Sequence, residues 1–383
     1  MNKFIAGGCL LLSVLTLSCT SGIREKGEIG KTASVEQSAF SQEQVKPLYA
    51  QGFKLTYADQ YLLADIQDPQ NEESTTFHYA FVKRGAKPTG IPADYTVIEL
   101  PIRSVICMTS LQLSNFIKLG ALDRVVGITS TRHLFNKEMN ERLKEGKTAK
   151  GNFDNEVIMS VNPDLILVSP FKRGGYEMLK DVGIPLIPHL GYKETTPLGQ
   201  AEWIKFVGLL LGIEKDGNER FATIEKRYNE LKELTADGKV KKRPIVFSGE
   251  LRGGNWYAVG GKSFLAQLFK DAGADYFLKD DERSGGVTLD FETVYNQADD
   301  ADYWRIVNSF PGTFSYEALK EQDPRYEDFR AFREKGIIYC NMKNTPFYES
   351  MPTEPEIVLA DLLHIFHPDL LPDHESVYYS RLK

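Results

Sequence analysis

Ser104-Val-Ile-Cys-Met108, Arg124-Val-Val-Gly-Ile128, Asp164-Leu-Ile-Leu-Val168 and Ile184-Pro-Leu-Ile187 decide the fold. Each is a short apolar run, and helix-spaced segments lie among them at 111–119, 137–145, 154–160 and 174–182. Strands buried on both faces read as unbroken apolar runs, and their alternation with helices builds βαβ units on a parallel sheet. Trp203, Phe206, Val207 and Leu210 then mark one helix face. From 219 to 236 the chain has neither Gly nor Pro, with Phe221, Ile224, Tyr228, Leu231 and Leu234 at helical spacing. Such a segment makes a rod of roughly 27 Å, and its charged opposite face marks a surface strut.

Beyond the rod the alternation resumes. Strands are expected at 244–248, 256–259, 303–307 and 337–340, and helices at 262–272, 289–297, 323–335 and 355–366, before Pro368. The fold class that follows is α/β, with two Rossmann-like lobes at 101–213 and 241–383 bridged by a single long backbone helix within 214–240. A small β-rich segment at 46–100 precedes them. Its alternating stretches 53–57, 61–66 and 76–82 are broken by Asp68-Pro69 and Lys87-Pro88.

The bulk numbers agree with this plan. The chain has 383 residues, 42% hydrophobic and 26% charged, so it suits two globular domains of ordinary size and not a disordered or fibrous chain. With 46 Lys+Arg against 53 Asp+Glu the net charge is −7, which argues against a nucleic-acid scaffold. Residues 1–18 place Lys3 before an apolar run too short to span a bilayer, as in a signal peptide. Ser18-Cys19 at its end resembles a bacterial lipobox, although Thr16 stands where Leu is usual. Cys19 is therefore the expected lipidation site, and the polar stretch 19–45 a flexible tether to the membrane. Cys107 and Cys340 lie in apolar runs and read as buried free thiols, with one disulfide between them the alternative in an oxidising compartment.

Ligands of α/β sheets bind outside the carboxyl ends of strands. Those ends gather aromatic residues (Phe135, Phe171, Tyr176, Tyr192, Trp256, Tyr257, Tyr348) and cations (Arg132, Lys172, Arg173, Arg252), with His133 beside Arg132. Rings can wall a large planar or apolar ligand, and Arg can hold a carboxylate bidentately. These residues are the candidate ligand set, with His133 or a nearby tyrosine able to reach a metal held in the ligand.

Several stretches together resemble one family. Arg103-Ser-Val-Ile106, Leu119-Gly-Ala-Leu-Asp-Arg-Val-Val-Gly-Ile128, Glu156-Val-Ile-Met-Ser-Val-Asn-Pro-Asp164, Trp256-Tyr-Ala-Val-Gly-Gly261 and Asp271-Ala-Gly-Ala274 resemble the iron-complex and vitamin B12 substrate-binding proteins of ABC importers. The resemblance implies rigid lobes around a cleft, and a monomer that hands its ligand to an inner-membrane permease and ATPase. The ligand would be a ferric siderophore, haem or, as the alternative, cobalamin, with no resident cofactor. It also implies that one carboxylate per lobe docks on the permease. Glu156 and Glu292 occupy matching places, each opening a helix, where a negative charge also suits the helix dipole.

A catalytic reading finds little to stand on. The chain has no Gly-x-Ser-x-Gly elbow, no phosphate-binding glycine loop and no His-Glu-x-x-His. A chelatase-like enzyme on the same two-lobed plan is the alternative of another class. His364-Ile-Phe-His367 reads as a core or capping pair and not as a metal site.

Overall fold

The computed structural model describes residues 40, 43–151, 155–169, 179, 183–236 and 238–383. Four strands open it: β1 (Phe53–Tyr57), β2 (Tyr61–Ile66), β3 (Phe77–Lys83) and β4 (Thr96–Leu100) form one sheet in that order. The first three are antiparallel neighbours, whereas β4 lies parallel to β3. β4 went unrecognised in sequence because the prolines at 88 and 92 hide its short alternation.

The first lobe follows. It contains β5 (Val105–Cys107), α1 (Ser110–Leu119), β6 (Val125–Ile128), α2 (Lys137–Lys144), β7 (Ala149–Lys150), α3 (Asn155–Val161), β8 (Leu165–Val168) and β9 (Leu186–Pro188). The strands are parallel in the order β7-β6-β5-β8-β9. The expected helix at 174–182 lies almost wholly outside the described residues. Thr109 starts α1 with a capping box closed by Gln112, and Gly120 ends it in the left-handed region.

Two consecutive helices leave this lobe, α4 (Pro197–Leu211) and α5 (Glu214–Lys232). The second lobe then runs through β10 (Ile245–Ser248), β11 (Glu250–Arg252), β12 (Asn255–Val259), α6 (Phe264–Asp271), β13 (Asp275–Tyr276), β14 (Gly286–Leu289), α7 (Phe291–Ala298) and β15 (Tyr303–Asn308). It closes with α8 (Tyr316–Gln322), α9 (Arg330–Arg333), β16 (Ile337–Asn341), α10 (Phe347–Ser350), α11 (Pro355–Phe366) and β17 (Ser380–Arg381). Its main sheet has the order β13-β10-β15-β16-β17, all parallel except β17. A side sheet β11-β12-β14 is antiparallel. The helices expected near 323–335 are a 3₁₀ turn, Pro324–Asp328, and short α9, parted by the extended Phe329.

The bridge between the lobes is more than one rod. Every residue of α4 except Gln200 is buried. One side of it (Trp203, Phe206, Val207, Leu210) belongs to the core shared by the first lobe and the β1–β4 sheet. Its other side (Leu198, Ala201, Ile204) joins the core of the second lobe, together with Phe221, Ile224, Tyr228 and Leu231 of α5. So α5 is amphipathic and half sunk in a core, while α4 is the fully enclosed element. The two cross tightly at glycines: a Cβ on Gly208 would lie 3.2 Å from Gly217 Cα.

Buried carboxylates pin both flanks of the chain. Glu202 of α4 is wholly buried and accepts N–H bonds from Leu48, Tyr49 and Ala50 at 2.7–2.9 Å, plus one from Lys205 Nζ at 2.7 Å. Glu194 accepts from Gln51 N, Gly52 N and Trp203 Nε1. At the far end Asp361 of α11 accepts from Val377, Tyr378 and Tyr379 N–H and from His374 Nε2. Cys107 and Cys340 are buried and free, one in each lobe.

Glu202→Ala strands three backbone donors and Lys205 in the interior. The expected loss is about 3–5 kcal/mol, the usual scale for breaking a buried pair. A lowered denaturation midpoint, with faster amide exchange at 48–50, checks it; Glu202→Gln, which keeps one acceptor oxygen, should lose less.

Candidate functional site

Sheet order decides which loops can meet. β6 lies toward one edge of the first sheet and β9 at the other; in the second, β16 and β10 lie on opposite sides of β15. The segments after β6 and after β16 touch. His133 Nδ1 donates to the Met342 carbonyl at 3.1 Å, and Phe135 N–H donates to Glu349 Oε2 at 2.9 Å. The His133 and Tyr348 rings lie 5.5 Å apart, centroid to centroid. This clasp brings the two lobes together at the carboxyl ends of their strands.

The donation from Nδ1 has a chemical consequence. With that nitrogen holding the proton, Nε2 of His133 keeps its lone pair, the form in which imidazole binds a metal. Tyr348 is half-buried beside it. Glu349 is buried, which raises its carboxyl above the usual range, while the N–H groups of Phe135 and Asn136 oppose that rise. Nothing in the sequence marks Glu349, since a Glu between Tyr and Ser reads as a solvated residue.

Arg132 is exposed and makes no ion pair among the described residues. Phe135 presents its ring at 36% exposure. Across the second lobe's rim, Arg252 Nη2 lies 3.3 Å from Glu250 Oε2, and Asn308 Nδ2 donates to Glu250 Oε1 at 2.9 Å. Glu250 and Asn308 thus position the guanidinium, a supporting pair the sequence did not single out. Tyr257 stands opposite Glu250 in the β11–β12 register and is 48% exposed. Tyr192 packs against the first lobe's core, and burial raises its phenol.

Trp256 does not belong in the site. It is fully buried, within 6.4 Å of Phe247, Trp304, Phe329 and Phe291, with Nε1 donating to Ser248 O. Neighbouring strand residues face opposite ways, so with Tyr257 turned outward Trp256 must turn into the core. Phe171, Lys172, Arg173 and Tyr176 lie outside the described residues.

Glu156 is exposed in the first turn of α3. Glu292 is exposed in the first turn of α7, 3.8 Å from Arg325, which is itself held by Asp323 and stacked on Phe291. His364 donates to Leu371 O through Nδ1, and His367 Nε2 meets Gly273 O at 3.1 Å. A polar cavity of about 860 Å³ lies away from the clasp, between Thr195–Thr196, the end of α5 and α6. Among its lining charges, Lys232 pairs with Asp271 and both Arg243 and Lys279 with Asp275.

The seam between the lobes carries its own titrating group. Lys118 of α1 meets Glu354 at 3.1 Å, and Tyr378 OH donates to the same carboxylate at 2.6 Å. Burial pushes nearby Glu356 up to about 7; Glu354 adds to the rise, and Lys118 and Arg227 oppose it.

Residues 105–343 match the periplasmic binding protein family model. An uncharacterised lipoprotein of Methanocaldococcus jannaschii is 24% identical, over 99% of this chain and 96% of its own. Among solved structures, a periplasmic binding protein from Veillonella parvula superposes with a TM-score of 0.59 at 14% identity, covering 80% of this chain and 98% of its own. A periplasmic heme binding protein from Pseudomonas aeruginosa gives 0.56 at 18%, over 70% and 93%. The chain belongs to the periplasmic binding protein family. Proteins of that family bind small ligands and work with the permease and ATPase of an ABC transporter; they are substrate-binding proteins and not enzymes.

Glu356 sets a pH dependence. In the unfolded chain it ionises near the ordinary 4.5, in the fold near 7. The fold therefore keeps a proton the unfolded chain has lost, and stability falls as pH rises through this window. Glu356→Gln should leave the melting temperature little changed at pH 4 and raise it at pH 8.

Proposed function

We propose that this protein captures an iron chelate, a ferric siderophore or haem, between its lobes and delivers it to an ABC permease. The observation that carries the reading is the meeting of His133 from one lobe with Tyr348 from the other. Imidazole and phenolate both ligate iron. Side by side, they suit two neighbouring positions on one ferric ion, or one of them an axial position of haem iron. Arg132, exposed beside His133, suits the carboxylate or hydroxamate oxygens of such ligands. The heme binding protein of Pseudomonas aeruginosa shares the fold and supports a ligand of this size. Cobalamin, the second candidate, depends mainly on aromatic walls, and the burial of Trp256 removes one of them.

The rest of the reading follows the path of delivery. Cys19 carries the lipid, 19–45 tethers a monomer on the periplasmic side of a membrane, and Glu156 and Glu292 engage cations of the permease. The ligand leaves chemically unchanged and no resident cofactor takes part. A relative named a lipoprotein supports the anchor.

Absorbance of the purified protein with haemin or a ferric trihydroxamate should show ligand-to-iron bands. His133→Ala and Tyr348→Phe should each weaken binding at least tenfold and shift those bands; unshifted spectra would sink the iron reading. Separately, Glu156→Ala combined with Glu292→Ala should spare binding and stop uptake by whole cells. Normal uptake removes the docking role.

A further inference from the structure

Residues 46–100 lie outside the stretch that matches the family, 105–343. Their sheet nevertheless reaches the rim of the cleft through one loop. β2 ends at Ile66 and β3 starts at Phe77, so the connection is 67–76, longer than the 2–5 residues usual in a β-hairpin. Its own hydrogen bonds shape it. Gln67 Nε2 donates to the carbonyls of Glu72 and Ser74 at 2.8 and 3.0 Å, and Asp68 Oδ1 accepts from Gln70 N at 2.9 Å. Gln67 N is held by the Gly52 carbonyl, next to the strap fixed by Glu194.

This loop touches both lobes. On the first, Asp68 Oδ2 pairs with Lys193 Nζ at 3.0 Å, in the segment that follows β9, and both side chains are mostly covered. On the second, Gln70 Oε1 lies 3.3 Å from where a Cβ on Gly285 would sit. Gly285 immediately precedes β14, which pairs with the strand that carries Tyr257. By sheet order, β9 and β10 lie on the side opposite the His133–Met342 clasp.

We propose that residues 67–75 form a wall of the ligand cleft at this end, with Asp68 and Gln70 as specificity-determining residues. The proposal rests on the cleft being the ligand site. The wall has a definite chemistry. Asp68 neutralises Lys193, and Glu72 and Glu73 stand on the same loop, so the loop itself offers hydrogen-bond acceptors and no free cation to a ligand. The clasped end keeps Arg132.

Two measurements on the full chain test this. In Gln70→Cys/Gly285→Cys a short bismaleimide should join the two positions, read by mass against each single-cysteine variant; Cys107 and Cys340, being buried, stay unlabelled. The joined protein should associate with haemin at least tenfold more slowly than the unjoined one. Asp68→Ala frees Lys193 and should favour haemin, which carries carboxylates, over a neutral ferric trihydroxamate, the ratio of the two affinities rising at least threefold. Failure of the link to form, or a link with unaltered association and no gain in Asp68→Ala, overturns the wall. A wild-type protein that binds neither probe refutes the iron reading and the wall's role together, while the cross-link still reports whether the loop spans the lobes.

Discussion

Everything in this fold hangs on the crossing of α4 and α5 at Gly208 and Gly217. α4 has opposite sides in different cores, and the glycines let α5 approach it so closely that a Cβ on Gly208 would lie only 3.2 Å from Gly217 Cα. Close-packed interiors transmit displacement instead of absorbing it. The lobes are thus fixed to a shared helix pair, and at the site only loops and side chains are left to adjust. Motion, where it occurs, belongs to the contacts across the cleft and not to its floor.

Three buried carboxylates do what a strand pairing might have done elsewhere. Each gathers backbone N–H groups from a segment that has no regular partner of its own: Glu202 and Glu194 hold 48–52, and Asp361 holds 377–379. A buried charge is costly unless it is paired and hydrogen-bonded, and here each is saturated with donors. The outcome is specificity of placement. With the shared core, the Tyr79–Leu186 bond and the Arg84–Asp164 pair, Glu202 and Glu194 hold the β1–β4 sheet in one position on the first lobe, and the loop 67–75 with it.

The strand-and-helix alternation was legible because apolar runs and helical spacing are local signals. α11, Pro355–Phe366, coincides with its expected range, as Pro355 starts it and Pro368 follows it. Joint burial was not legible. Trp256 looked like a rim residue because its loop neighbours were, whereas its side of β12 faces the core. Nothing local marks Glu349, Glu250 and Glu202, since what distinguishes them is the long-range donor each one meets. The rod at 219–236 was visible, but the more important α4 was reduced to one face because its burial on every side gives no periodicity to read.

One mechanical consequence follows from the grip on Leu48, Tyr49 and Ala50. A pull from the N-terminal side meets the body at buried Val45, bonded to Tyr57, and then at 48–50, where several short hydrogen bonds to one carboxylate of α4 are loaded in parallel. Had the chain entered at β1, the same force would have opened that edge strand one rung at a time. A load applied ahead of residue 48 is thereby shared among several bonds and not peeled away one at a time.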